Sequence, residues 1–224
     1  MILSAHQPAY FPWLGYFEKI ASADIFIYLD TVQFEKNSYI NRNKIKTPQG
    51  PLWLTIPVKS KGNINSNLLK TEIEEKIPWR EKHIKSIKMN YSKAVRYQER
   101  FSKIEKIVMK EESNLAEYCF QQLIFWMDEL NIKTKVYRLS EIPIFSKKSE
   151  LIFDLCKHYN AKYYLSGALG KNYLNEDDFI KAGLTVNYQN FKPKVYPQLW
   201  GKFVPFLSVV DWWLNTDDNK LPTL

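Results

Sequence analysis

Within its first thirty residues the chain spells out a strand, a helix and a second strand, and that unit limits the fold more than any other feature. The apolar run that starts at Met1 stops at His6-Gln7-Pro8, since proline has no N–H to continue a ladder. Leu14, Phe17, Ile20 and Ala21 then recur at the helical spacing of three and four. Residues 24–30 follow as an apolar run bounded by Asp24 and Asp30, the pattern of a buried strand. Two strands joined by a helix form a right-handed crossover in a parallel sheet, so the expected class is α/β with a Rossmann-like N-terminal unit.

The rest of the chain extends this pattern and interrupts it once. Residues 53–58 read as a strand after a Pro-Gly turn, and residues 60–67 read as an exposed polar loop. Apolar stripes over 78–130 predict helices, a helical insertion at about 72–132. Strands are expected at 134–139, 162–166 and 185–188, with helices at 148–159 and 208–214. The expectation is one domain, residues 1–224, with a mainly parallel sheet.

Composition narrows the function. With 45% hydrophobic residues the chain can bury a full core, which excludes disorder for most of it. No run approaches the roughly 20 apolar residues of a membrane span, and the start lacks the basic segment of a secretory signal, so a cytoplasmic location without membrane insertion is expected. The net charge of +8 rests on 27 Lys against 5 Arg, scattered along helices. Nucleic-acid readers favour Arg for its bidentate fork, so a nucleic-acid partner is not expected. Cys119 and Cys156 read as small buried hydrophobes, and three dispersed histidines predict no metal site unless carboxylates supply most ligands.

Parallel sheets bind ligands beyond the carboxyl ends of their strands. The loop after His6 and the segment after Asp30 both fall there. His6 either exchanges a proton near neutral pH, with Gln7 orienting a substrate amide or hydroxyl, or binds backbone at a tight turn. Residues 30–45 gather Asp30, Gln33, Lys36, Asn41, Arg42, Asn43 and Lys44, a set that suits an anionic, hydroxyl-rich ligand such as a sugar nucleotide, or else forms a charged surface connection. The candidate catalytic residues are His6, Asp30 and Lys36. The candidate substrate-binding residues are Gln7, Trp13, Gln33, Asn41, Arg42, Asn43, Lys44, Ser166, Gly167 and Tyr173. The last three belong to a Gly-containing corner at 164–173 that either approaches a phosphate or is a plain turn.

Pro12-Trp13-Leu14-Gly15-Tyr16, opening the first helix, invites comparison with nucleotidyltransferases, but Trp13 and Tyr16 stand where those enzymes carry two phosphate-binding histidines. A reaction that used those imidazoles could not run unchanged here.

The chain resembles the WbqC-like family, named after a protein encoded among O-antigen biosynthesis genes, almost from end to end. The resemblance is carried by His6-Gln7-Pro8 with Tyr10, Pro12-Trp13, Gly15 and Lys19; by Asp30, Gln33 and Asn41 to Ile45; by Trp79, His83 and Tyr91; and by Tyr164 to Gly167 with Tyr173. Tyr196, Gln198, Phe206, Ser208, Asp211 and Asn215 extend it, and Thr216-Asp217-Asp218 departs from it where a Gly is expected. It implies a bacterial cytoplasmic protein working on sugars or activated sugar precursors. The expected function is a transferase that modifies a nucleotide-linked amino sugar by acyl or aminoacyl transfer, with an acyl carrier or a nucleotide as co-substrate. The alternatives are a nucleotidyltransferase-like enzyme or a non-catalytic scaffold of glycan assembly. The expected partner is a small phosphorylated sugar.

Overall fold

A computed structural model describes residues 1–59, 67–218 and 221. The loop expected at 60–67 lies outside them, apart from Asn67. In chain order the strands are β1 (Ile2–His6), β2 (Ile25–Tyr28), β3 (Arg42–Thr47), β4 (Gly50–Thr55), β5 (Lys135–Arg138), β6 (Tyr163–Ser166) and β7 (Thr185–Tyr188). The helices are α1 (Leu14–Ala21), α2 (Trp79–Tyr91), α3 (Tyr97–Val108), α4 (Leu115–Glu129), α5 (Lys148–His158), α6 (Glu176–Lys181) and α7 (Val209–Asn215).

Five strands form one sheet in the order β5-β2-β1-β6-β7, with every neighbouring pair parallel. The chain builds outward from β1 through β2 to β5, then returns to the other side of β1 with β6. The direction of growth therefore reverses between β1 and β6, and such a reversal opens a crevice at the carboxyl ends of the two strands.

Both faces of the sheet are covered, which is why β2 is buried along its whole length. Successive side chains alternate between the faces. Ile25 and Ile27 join Leu3, Ala5 and the α5 residues Leu151, Ile152 and Leu155 in one core. Phe26 and Tyr28 point the other way, into a core with Tyr16 and Phe17 of α1. That second core continues through Ile45 and Leu54 of the hairpin, Trp79, Ile104 and Trp126 of α2–α4, and Trp213 of α7. The helical segment expected as an insertion thus packs on the α1 side of the sheet.

Local signals explain the element starts. Asn114 caps α4, its side chain accepting from the Glu117 amide. Pro78 immediately precedes α2. The expected strands at 134–139, 162–166 and 185–188 and the helix at 148–159 are present within a residue or two. Two elements have no counterpart in the sequence reading, β3 and the short α6. Among the described residues no helix is long and apolar enough to cross a membrane.

Candidate functional site

His6 is the last residue of β1, at the edge of the β1/β6 crevice. Its Nδ1 lies 2.9 Å from the Gln7 carbonyl oxygen, which can only accept, so Nδ1 carries the proton and Nε2 presents a lone pair. The ring sits edge-on to Tyr16 at 4.8 Å and to Trp13 at 5.8 Å, and those two rings lie 5.8 Å from each other. Burial, with a smaller push from Lys19, lowers the imidazole from 6.5 to about 3. His6 is therefore a neutral hydrogen-bonding group at neutral pH and a weak base. Beside it, the Gln7 amide side chain makes no hydrogen bond among the described residues, while the Gln7 backbone carbonyl also accepts from the Tyr16 hydroxyl at 3.3 Å.

Lys19 lies within α1 yet is only 2% exposed. Its ammonium donates to the Ala5 carbonyl of β1 at 2.9 Å, and no carboxylate among the described residues pairs with it. Burial pulls it down from 10.5 to about 7. Opposite, at the end of β6, stands Gly167, half-buried. Ser166 is 1% exposed, donates to the Gly167 carbonyl at 3.1 Å and is covered by Gly170, where a Cβ would come within 1.9 Å of its Oγ. Tyr173 is half exposed and hydrogen-bonds Tyr164.

A lane of rings leads from the crevice toward the hairpin. Trp13 lies 5.5 Å from Tyr39, and Tyr39 lies 5.6 Å from Trp53. The Arg42 guanidinium sits over the Trp53 ring at 4.3 Å and the Lys44 ammonium at 5.1 Å. Trp13, Tyr39 and Phe206 line a cavity of about 240 Å³, room for one ring system. Glycine at position 15 is required here, because a Cβ would fall 2.7 Å from the Phe191 ring and 2.9 Å from Trp13 Nε1. A larger cavity, about 420 Å³, opens at the amino ends of β2 and β5, lined by Ala21, Asp24 and residues 130–135, at the opposite strand ends from His6.

The remaining polar residues divide by role. Asn43 is buried and donates to the Phe11 carbonyl at 2.7 Å while accepting from the Lys44 amide. Asn41, also buried, donates to the Ile56 carbonyl at 2.8 Å. The Asn43 amide holds the hairpin to the body, and the Asn41 amide closes the open end of the hairpin across its two strands. Arg42 also donates to Asn37 in the loop before β3. Asp30 is fully buried and accepts from Arg138 Nε at 2.9 Å, the Ser140 amide at 2.9 Å and the Ser140 hydroxyl at 2.7 Å. Gln33 and Lys36 are exposed on the 30–41 loop, Gln33 in a bridge with Asn67.

The fold thus gathers His6, Gln7, Trp13 and Gly167 at the crevice, with Arg42 and Lys44 at the far end of the ring lane. Asp30, Asn41, Asn43 and Ser166 are engaged in the framework around it, and Lys36 is exposed on the 30–41 loop. Sequence reasoning gave no role to Lys19, Tyr39, Trp53 or Phe206. For Lys19 a signal existed: a cation on a helix whose neighbours Tyr16, Phe17 and Ile20 are all buried. Among the described residues no three His, Cys, Asp or Glu side chains cluster as metal ligands.

Residues 7–222 match the model of the WbqC-like protein family. The uncharacterized protein Rv1507c of Mycobacterium tuberculosis is 32% identical over 211 residues, 93% of this chain and 91% of that one. No solved structure matches. The family match begins at Gln7, one residue after His6, and runs through the ring lane, the β6 corner and α7, and the chain belongs to the WbqC-like protein family.

Proposed function

We propose that this protein is a transferase of bacterial surface-polysaccharide synthesis that joins an acyl or aminoacyl group to the nitrogen of a nucleotide-linked amino sugar. The observation that supports it is the lane from the neutral His6 imidazole through Trp13, Tyr39 and Trp53 to Arg42 and Lys44. A nucleobase stacks on exposed rings whatever its identity, and cations at the wall draw in an anionic ligand. The sugar end then reaches the crevice, where His6 Nε2 and the Gln7 amide can bind an amine and a hydroxyl.

In the reaction the sugar nitrogen attacks the carbonyl carbon of an acyl thioester or aminoacyl ester. The new C–N bond forms as the bond from that carbon to sulfur or oxygen breaks, and the proton lost by nitrogen leaves with the thiol or alcohol of the carrier. His6, held neutral by burial, accepts a hydrogen bond from the amine N–H and so aims the lone pair of the amine nitrogen at the acyl carbon. Because it is a weak base it orients the amine more than it removes the proton.

The test is a panel of nucleotide-linked amino sugars incubated with thioester and aminoacyl donors and read by mass spectrometry. A mass gain equal to the acyl group, lost in His6→Ala, is the expected result. Pyrophosphate release from a nucleoside triphosphate and a sugar phosphate would replace this reading with nucleotidyl transfer.

A further inference from the structure

We propose that Lys19 and Gly167 form the floor of the β1/β6 crevice that holds a phosphoryl group, the one attached to the sugar in the ligand described above. The inference rests on that reading for the identity of the ligand and on the geometry of the crevice for the site.

Three observations converge on it. First, Lys19 is an incompletely matched cation: of the three N–H donors on its ammonium, one reaches Ala5 O, and no carboxylate among the described residues lies at ion-pair distance. A buried charge is costly unless it is paired and hydrogen-bonded, so a lysine kept there with one neutral acceptor is half of an ion pair. Second, the space beside it is open. A Cβ built on Gly167 meets one atom within 4 Å, Lys19 Nζ at 3.9 Å. A Cβ there would stand in ordinary contact with the ammonium, and glycine leaves that position to a ligand atom. Third, the pair spans the two strands between which the sheet reverses its growth, with Ala5 and His6 on β1 and Gly167 just beyond β6. The ammonium supplies a charge-assisted hydrogen bond to a phosphoryl oxygen, and His6 stands close enough to meet the sugar that carries it.

Inorganic phosphate and pyrophosphate titrated into the full-length protein test this by calorimetry and by shift of the melting temperature. The wild type is expected to bind, and Lys19→Met and Gly167→Val are each expected to weaken binding by about tenfold or more, the loss of one charge-assisted contact. Lys19→Met keeps the length of the side chain, and Gly167→Val fills the open space while leaving the cation intact, so one remains informative if the other does not fold. Wild-type affinity for phosphate in either folded variant, or no binding of either anion by the wild type, would overturn the proposal. A nucleotide-linked amino sugar titrated in parallel separates the two ideas. If it binds Lys19→Met as tightly as the wild type, the phosphoryl site is wrong and the substrate reading stands. If phosphate binds through Lys19 and no nucleotide sugar binds at all, the site stands and the substrate reading fails.

Discussion

The side-chain amide of Asn43 donates to the carbonyl of Phe11 at 2.7 Å, tying the β3–β4 hairpin to the loop that carries Trp13. Phe11 has a φ of 44°, in the left-handed region that costs a non-glycine residue about 1 kcal/mol or more. The same loop is fastened again by Ser208 to the Lys44 carbonyl and Val209 to the Pro12 carbonyl, so three distant segments meet at the wall of the ring cavity. Asn43→Ala leaves the buried Phe11 carbonyl and the Lys44 amide without partners. We expect a loss of about 2 kcal/mol in urea unfolding with an unchanged slope, and a shift in tryptophan emission as the loop relaxes.

Asp30 is the carboxylate on which the β2–β5 edge is built. It accepts three hydrogen bonds, one of them from Arg138, which also donates to Glu117 at 2.7 Å. Asp30→Asn removes the charge and turns N–H donors toward the donors of Ser140 and Arg138. Breaking a buried pair from one side costs about 3 kcal/mol or more. Chemical denaturation should show that loss, and Arg138→Met together with Asp30→Asn should cost less than the two single changes added.

How far the residues revealed this arrangement depends on the kind of information each carries. The α/β class was legible because strand, helix and strand differ in hydrophobic period, and 134–139, 148–159 and 162–166 repeat the same alternation. The edge on which His6 lies followed from topology alone. The hairpin strand β3 was not legible: Arg-Asn-Lys-Ile-Lys-Thr has one aliphatic residue, and its burial comes from distant groups. Lys46 is 2% exposed because Gln198 and the Lys202 carbonyl receive its ammonium, and its amide donates to Tyr91. For the same reason composition could not separate the framework amides of Asn41 and Asn43 from Arg42 and Lys44, which alternate with them. Alternation in a strand sent the two amides inward and the two cations toward Trp53, and no count of residue types contains that division.

Acid should unfold the protein partly through its histidines. His6 falls from 6.5 to about 3, and His83, which shares a hydrogen bond with the Tyr10 hydroxyl at 2.8 Å, falls to about 4, both mainly through burial. The folded state therefore binds fewer protons than the unfolded chain between those values and 6.5, so stability rises with pH across that window and is lost as pH falls through it. Urea unfolding from pH 7 to pH 3 should show the decline, and His6→Gln should make it shallower. An unchanged slope in that variant would mean that His6 takes up its proton without unfolding.

Lys19 reverses the usual expectation for a polar-to-apolar change in a helix. Burial lowers its ammonium from 10.5 to about 7, so between those values the unfolded chain holds a proton that the folded protein has released. Stability contributed through this group rises with pH across that interval, and the cost of burying the charge is fully present below about pH 7. Lys19→Met removes that cost and keeps a long side chain against Tyr16 and Ile20. The variant should therefore be more stable than the wild type at pH 6.5, and its advantage should shrink steadily toward pH 10. The effect on His6 runs the same way, because removing the nearby positive charge eases protonation of the ring. Unfolding midpoints measured at the two pH values decide the matter: equal or lower stability of the variant at pH 6.5 would show that the bond to Ala5 outweighs the buried charge. A gain there means that the folded protein retains a cation against its own stability, the pattern expected of a residue kept for what it binds.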